Sequence, residues 1–497
     1  MVELELNWST AVIGFAAVFA ASRIINYLDC DKRTGHLPGL RSFATPISLF
    51  GTILPSGRWN PGRNWQWETR KEVYARHGTE TISALPYCFG APIIYTSSPE
   101  VSRQLMSVKE FFKHPEITIL ATMWGPNLFS TDGEQWRRMR RIMTPAFNHS
   151  TYVTVWENTS RTYREMTSNE GWDAQKTIEV PNITRLTAKF TLILISCAGF
   201  GFPLSWDFSQ AEGTDKMSFG EALHIISENL ILRLVLPNWS RHLPVQSFKD
   251  LHEAYEIAGK FLHTLIDDKR REFASGATPG NDVLSLMIQS AESEGKSSMT
   301  DEELTGNLSI LLLAGQETLA FTLNATLGYM ALYPEFQEEM YQEVMSAMPT
   351  ADDVTLANSH KLRKVQACML EAARLFPAVS MMIRDSCEDI VLEHVGPNRD
   401  ERIAVPAGTR FVVDMIGLHH NPRTFPDPEA FKPERWYDAP ENALTQFSFG
   451  PRVCLCFLAH LVRDFRVERL AAPGESRERW EARYMQGAMP LRLVRRG

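Results

Sequence analysis

Apolar residues run almost without interruption from Trp8 to Leu28, broken only by Arg23 and Asn26 in the second half. A membrane span needs about 20 mostly apolar residues, and an arginine near its end can snorkel to the interface. Glu3 and Glu5 precede the stretch, while Lys32 and Arg33 follow it. That asymmetry orients the bulk of the chain to the cytosol. An uncleaved anchor over residues 1–28 is expected. The alternatives are a cleavable signal peptide, disfavoured by the lack of a basic leader, and a buried core helix. Residues 29–61 are rich in Pro and Gly and read as a stiff linker, leaving 62–497 as the main domain.

Two segments, Thr81–Tyr87 and Pro92–Thr96, alternate in the manner of strands in a small sheet. Helical spacing then takes over. Gly133–Arg141 reads as a helix that ends near Pro145, and 205–300 alternates apolar and charged helical segments around a loop at 275–281. Thr300-Asp-Glu-Glu303 has capping-box form and opens a helix that Pro334 stops after Tyr333. Its length is on the order of 50 Å at ~1.5 Å per residue. Glu371–Arg374 lies on a helix ended by Pro377, and Val405–Gly408 is a turn between short strands. The fold class is mainly α with a minor β part. No internal repeat is present, which excludes a solenoid.

Composition narrows the partners. With 44% apolar and 22% charged residues in 497 positions, the chain can bury a sizeable core. A net charge of −8 argues against nucleic acid, which needs a basic footprint. Seven cysteines are scattered and odd in number, with no zinc-type spacing. They suit a reducing compartment.

Chemistry concentrates in four places. Around Cys454, Gly450 and Pro451 are turn formers, Arg452 favours thiolate over thiol, and Phe447 and Phe449 would keep water away. Such a sulfur suits an axial ligand to haem iron, although an inert buried cysteine is the commoner use of a lone thiol. In the long helix, Gly315 costs roughly 1 kcal/mol against Ala, and Glu317 and Thr318 interrupt an apolar wall. Either two helices cross closely at Gly315, or the helix widens locally to seat oxygen. In the second case Thr318 would hydrogen-bond that oxygen and Glu317 would relay protons. Trp136 and Arg140 share a helix face and can hold a carboxylate; a solvated basic helix is the plainer reading. Glu371 and Arg374 form an i, i+3 pair worth only ~0.2–0.5 kcal/mol on a surface.

Taken together these residues carry a family resemblance. Phe447, Gly450, Arg452 and Cys454 fit F-x-x-G-x-R-x-C, Ala314-Gly315-x-Glu317-Thr318 fits A-G-x-E-T, and Trp136-x-x-x-Arg140 fits W-x-x-x-R. The chain resembles the cytochrome P450 family in its membrane-bound, fungal-like form. The resemblance implies a triangular helical domain with a small sheet-rich part, holding haem b. Cys454 would be the iron ligand, with Trp136, Arg140, Arg384 and Arg452 on the propionates and Ala314, Gly315, Phe447 and Gly450 around the ring. Thr318 and Glu317 would manage oxygen and protons. Glu371, Arg374 and Arg435 would form a buried triad, with Trp436 where the family has Phe.

The implied reaction is insertion of one atom of O2 into a hydrophobic molecule, a terpenoid or other secondary metabolite, with Val379, Met381 and Met382 lining the cavity. The chain has no Gly-rich dinucleotide fingerprint, so electrons would come from NADPH through a separate reductase docking on Arg137, Arg138 and Arg141. The implied location is the endoplasmic reticulum membrane. Oxygen-independent rearrangement is an alternative that Glu317 and Thr318 oppose.

Two departures follow the ligand. Cys456 stands where the family has Gly, and Arg463-Asp464-Phe465 arrives roughly ten residues early, equivalent to ~15 Å of helix. Either the chain is a shortened reading of an active enzyme, or it is a haem-deficient remnant serving as a scaffold.

Overall fold

The computed structural model describes residues 8–62, 64–106, 111–113, 118, 122–202, 204–209, 217, 219–229, 238–276, 280, 282–293, 298–393, 401–437 and 450–496. They form two compact units, Met1–His114 with Val379–Ala430, and Pro115–Ala378 with Phe431–Gly497. Helices dominate and the sheets are small, as the residue pattern predicts.

The first unit begins with α1 (Trp8–Arg33). Its apolar window is wholly unburied, and the helix is long and apolar enough to cross a membrane. Arg23 does not reach away from the fold as a snorkelling side chain would; Nη1 donates to the Cys88 carbonyl at 3.0 Å. The stretch expected to be linker contains a strand, β1 (Gly39–Ala44), paired parallel with β2 (Thr81–Phe89). Local composition marks 29–61 as turn-rich but cannot reveal a pairing partner forty residues away.

β3 (Ile93–Thr96), β4 (Phe111–Phe112), β6 (Met381–Ser386) and β9 (Arg410–Asp414) complete a six-stranded sheet in the order β1-β2-β3-β9-β6-β4. Both faces are covered. Ile82, Ala84, Ile93 and Tyr95 pack on one core, whereas Ile94, Phe411 and Val413 pack on another. Burial of both faces explains why Thr81–Pro86 is buried at every position rather than at alternate ones. Gly408 turns the chain ahead of β9 at φ +76°, a left-handed conformation that favours glycine.

The second unit is built on helices: α2 (Gly133–Met143), α3 (His149–Asn169), α4 (Thr184–Phe200), α5 (Phe219–Glu228), α6 (Gln246–Ala274), α7 (Val283–Glu292), α8 (Asp301–Leu332), α9 (Pro334–Ala347), α10 (Arg363–Leu375), α11 (Gly450–Asp464) and α12 (Arg477–Arg483). A three-stranded sheet joins β5 (Thr177–Val180) to β10 (Phe465–Arg469) and β11 (Leu491–Arg495). In the first unit β7 (Ile390–Glu393) and β8 (Arg402–Val405) form a hairpin-like pair.

α8 starts where its capping box places it. Thr300 Oγ1 accepts from the Glu303 amide at 3.1 Å, and Glu303 Oε2 accepts from the Thr300 amide at 3.1 Å. Both ends of α8 are buried in the core, which includes Leu304, Leu308 and Leu312. Gly306 permits the closest approach: a Cβ there would lie 2.5 Å from the carbonyl oxygens of Gly125 and Pro126.

Candidate active site

Between its buried ends, α8 opens. Ala314 and Glu317 are exposed and Thr318 is half-buried, while Leu312, Gln316 and Leu319 beside them are buried. The A-G-x-E-T residues therefore line an accessible face in the middle of the central helix. The helix itself is continuous through this stretch, so the local widening expected at Gly315 is absent. Gly315 serves the other purpose considered for it: its would-be Cβ meets Ile195 Cδ1 of α4 at 2.9 Å, a close helix crossing.

Thr318 Oγ1 donates to the Ala314 carbonyl at 2.7 Å, Thr322 Oγ1 to the Thr318 carbonyl at 2.8 Å, and Thr326 Oγ1 to the Thr322 carbonyl at 2.8 Å. Each hydroxyl proton is thus spent within the helix, leaving oxygen lone pairs outward. Such back-bonding tends to bend a helix slightly.

Trp136 and Arg140 share one face of α2, as their spacing predicts. The Arg140 guanidinium stacks 5.1 Å from the Trp136 ring centroid. The other arginines of this helix are less free than a basic docking face requires. Arg138 is drawn inward to the Ser298 carbonyl and the Glu303 carboxylate, and Arg137 pairs with Glu134. Gln135 Nε2 adds a 2.8 Å bond to Glu303. Burial would raise the Glu303 carboxyl, but hydrogen bonds from Arg138 and Gln135 hold it below the usual glutamate range. Arg141 remains exposed. A sequence pattern of four arginines cannot tell which one a distant buried glutamate will claim.

The triad closes around Glu371, which is fully buried with Arg374. Arg374 grips it with Nε to Oε2 at 2.8 Å and Nη2 to Oε1 at 2.9 Å. Arg435 Nε adds 3.1 Å and the Lys432 amide 2.9 Å, both to Oε1. Trp436 Nε1 donates to Oε2 at 2.8 Å. Burial opposes the charge, but these donors hold the carboxyl below its ordinary range. Two of the donors, the Lys432 amide and the indole of Trp436, were not foreseen from the motif. The Trp-for-Phe exchange was the available signal.

The cysteine segment differs most from expectation. Gly450, Pro451 and Arg452 do not form a turn before Cys454; they begin α11, and Cys454 lies within it. Proline in a first helical turn is favourable, since it lacks only an amide that has no partner there. Phe447 lies outside the described residues.

Cys454 is fully buried, and burial pushes its thiol up to about 12. Cys456 belongs to a separate polar seam. Its sulfur lies 3.3 Å from Ser160 Oγ and donates to the Trp156 carbonyl at 3.6 Å, while His460 Nε2 lies 2.9 Å from the same Ser160 Oγ. Cys456 and His460 stand one turn apart on α11 and fasten it to α3. The i, i+4 spacing of a thiol and an imidazole was visible in the sequence, but its serine partner lies about three hundred positions upstream.

These placements test the fit to haem. The open Ala314–Glu317–Thr318 face and the Trp136–Arg140 pair fit a flat ligand carrying acidic groups. Cys454 does not fit as folded, because a metal ligand must present a lone pair and this sulfur has no accessible surface. Arg384 belongs to the first unit, half-buried on β6, with Nη1 donating to the Ile383 carbonyl at 2.8 Å. Met381 and Met382, expected as cavity lining, are half-buried on opposite faces of β6, each packed on one core of that unit.

Comparison with known proteins agrees with the motifs. The cytochrome P450 family model matches residues 74–476. The chain is 30% identical to cytochrome P450 monooxygenase 124 of Postia placenta, over 97% of this chain and 96% of that protein. It is 23% identical to the phomenoic acid biosynthesis cluster cytochrome P450 monooxygenase of Leptosphaeria maculans, over 77% and 75% of the two chains. Its fold superposes on the crystal structure of the cytochrome P450DA heme domain with a TM-score of 0.71 at 16% identity, covering 93% of this chain and 99% of that one. With the oxygen-activation motif on an open face of the central helix, the buried Glu–Arg–Arg triad in place and four-fifths of the chain matched, this protein belongs to the cytochrome P450 family of monooxygenases.

Proposed function

We propose that the chain inserts one atom of O2 into a hydrophobic small molecule, a terpenoid or other secondary metabolite, using electrons from NADPH delivered by a separate reductase. The observation that carries this reading is the accessible Ala314–Glu317–Thr318 face midway along a helix buried at both ends. Haem b, the cofactor the family implies, supplies the chemistry of dioxygen reduction. The residues of this chain have narrower tasks. Trp136 and Arg140, joined by Arg384 and Arg452, bind propionates through charge-assisted hydrogen bonds. Ala314 and Gly315 leave room beside α8. Thr318 offers its oxygen as acceptor while its own proton is held by the Ala314 carbonyl, and Glu317 relays protons from solvent.

Cys454 is the sulfur in register with Gly450 and Arg452, and it is the ligand we assign. Because it is enclosed as folded, that role requires the first turns of α11 to open. Monooxygenase names among the relatives favour an active enzyme over a haem-free scaffold, and the paired Glu317 and Thr318 favour oxygen insertion over rearrangement. The phomenoic acid cluster relative supports a secondary-metabolite substrate. α1 anchors the chain in the endoplasmic reticulum membrane with the rest of the chain cytosolic.

The test is the absorbance spectrum of the reduced, CO-treated full chain, with C454S alongside. A thiolate-type Soret shift lost in C454S supports the assignment. Haem absorbance unchanged by C454S would sink it. Spectral titration with a panel of terpenoid, steroid and aromatic compounds then sorts the substrate class.

A further inference from the structure

The first unit exposes a compact group of large apolar side chains that its own fold does not cover. Ile53 is 69% exposed, Trp59 65%, Leu49 and Phe50 48%, Phe89 40% and Phe43 38%. They are neighbours. The Phe89 ring lies 4.6 Å from that of Phe50 and 5.4 Å from that of Phe43, and the Phe43 amide donates to the Trp59 carbonyl at 2.7 Å. Asn60 Nδ2 donates to the Gly51 carbonyl at 3.2 Å and the Leu54 carbonyl at 2.9 Å, fixing the loop that carries Trp59 to the short helix Leu49–Ile53. A monomer rarely exposes such a patch without a use for it.

The patch is continuous with α1. Tyr87, at the end of β2, stacks on Tyr27 of α1 with ring centroids 5.6 Å apart, and the Arg23 guanidinium is tied to the Cys88 carbonyl. These contacts set a length problem. The part of α1 ahead of Arg23, from Trp8 to Ser22, rises only about 22 Å at ~1.5 Å per residue, short of the ~30 Å apolar thickness of a bilayer. Ile24, Ile25 and Leu28 must supply the rest, and they are 60–68% exposed. Immersing them brings the adjoining end of β2 to the membrane surface.

We propose that Phe43, Leu49, Phe50, Ile53, Trp59 and Phe89 form a second membrane-contact surface, seated in the interfacial layer of the bilayer that α1 enters. The inference rests on the anchor reading of α1. Its composition suits that layer: aromatic rings prefer the headgroup level, and Arg58, exposed beside Trp59, meets lipid phosphates there. The effect is to fix the orientation of the first unit, which a lone helical anchor leaves to rotate.

The test reconstitutes the full chain in phosphatidylcholine vesicles, with and without lipid brominated along one acyl chain, and reads tryptophan emission. The Trp59 contribution is the emission removed by W59F; F15W reports on α1. Trp59 emission reduced by half or more in brominated lipid, and recovered in F50E with I53E while F15W stays quenched, supports the patch. F15W quenched with Trp59 unaffected overturns the patch and leaves the anchor standing. F15W unquenched removes the anchor reading and the patch with it.

Discussion

Trp436 donates its indole hydrogen to Glu371 at 2.8 Å, so the residue that departs from the family's phenylalanine completes the shell of a fully buried carboxylate. A hydrogen bond to a buried charge contributes ~1.5–3 kcal/mol. W436F is expected to lower unfolding free energy by about that amount while keeping the fold. E371A leaves Arg374 buried without its partner and is expected to cost ~3–5 kcal/mol or to prevent folding. Denaturant unfolding checks both, and W436F indistinguishable from the parent would show that the bond contributes nothing.

His460 and Asp414 pull stability in opposite directions on acidification. Burial, aided by Arg463 and Arg164, lowers His460 from 6.5 to about 3. Between those values the unfolded chain binds the extra proton, so stability falls as pH drops, by at most ~1.4 kcal/mol per pH unit. Burial raises Asp414 from 3.8 to about 6, against hydrogen bonds from the Gly417 amide and Tyr74. There the folded chain binds the extra proton, so stability rises as pH drops. H460Q should therefore flatten or reverse the acid decline between about pH 4 and 6, and D414N should steepen it. Melting temperature against pH reads both slopes, and parallel profiles for all three proteins would refute the assignment.

Thr318 keeps its proton on the Ala314 carbonyl and presents an oxygen to the open face. T318A is expected to let NADPH consumption continue while product per NADPH falls about tenfold or more, within the range of a lost proton-handling group. T318S should recover most of the coupling. Equal coupling in T318A and the parent would remove Thr318 from the reaction.

The arginines of α2 divide by task. Arg141 is exposed, whereas Arg138 is bound to Glu303. R141E should weaken reductase-supported turnover in a salt-dependent way, with thermal stability unchanged. R138A should instead lower stability, because Glu303 is left buried with one charged partner fewer. Reductase titration and thermal melting separate the two. A stability loss in R141E rather than R138A would reverse the assignment.

Local rules sufficed wherever neighbouring residues enforce their own geometry. Thr300 and Glu303 cap α8 because an N-cap and its third residue meet in any helix start, and Pro334 ends the helix because it cannot donate to it. Trp136 and Arg140 share a face for the same reason, and the fixed spacings of the four motifs carried the family. Packing settled what depends on remote partners. Gly315 became a crossing point because Ile195 of α4 lies against it. Arg138 left the basic face because Glu303, buried one helix away, needed a counter-charge. Cys454 was read as a ligand in a loop, yet α11 encloses it, since Cys456 and His460 gain hydrogen bonds to Ser160 only when that segment is helical. Burial and pairing arise between positions far apart in the chain, and no local pattern encodes how those distant surfaces meet.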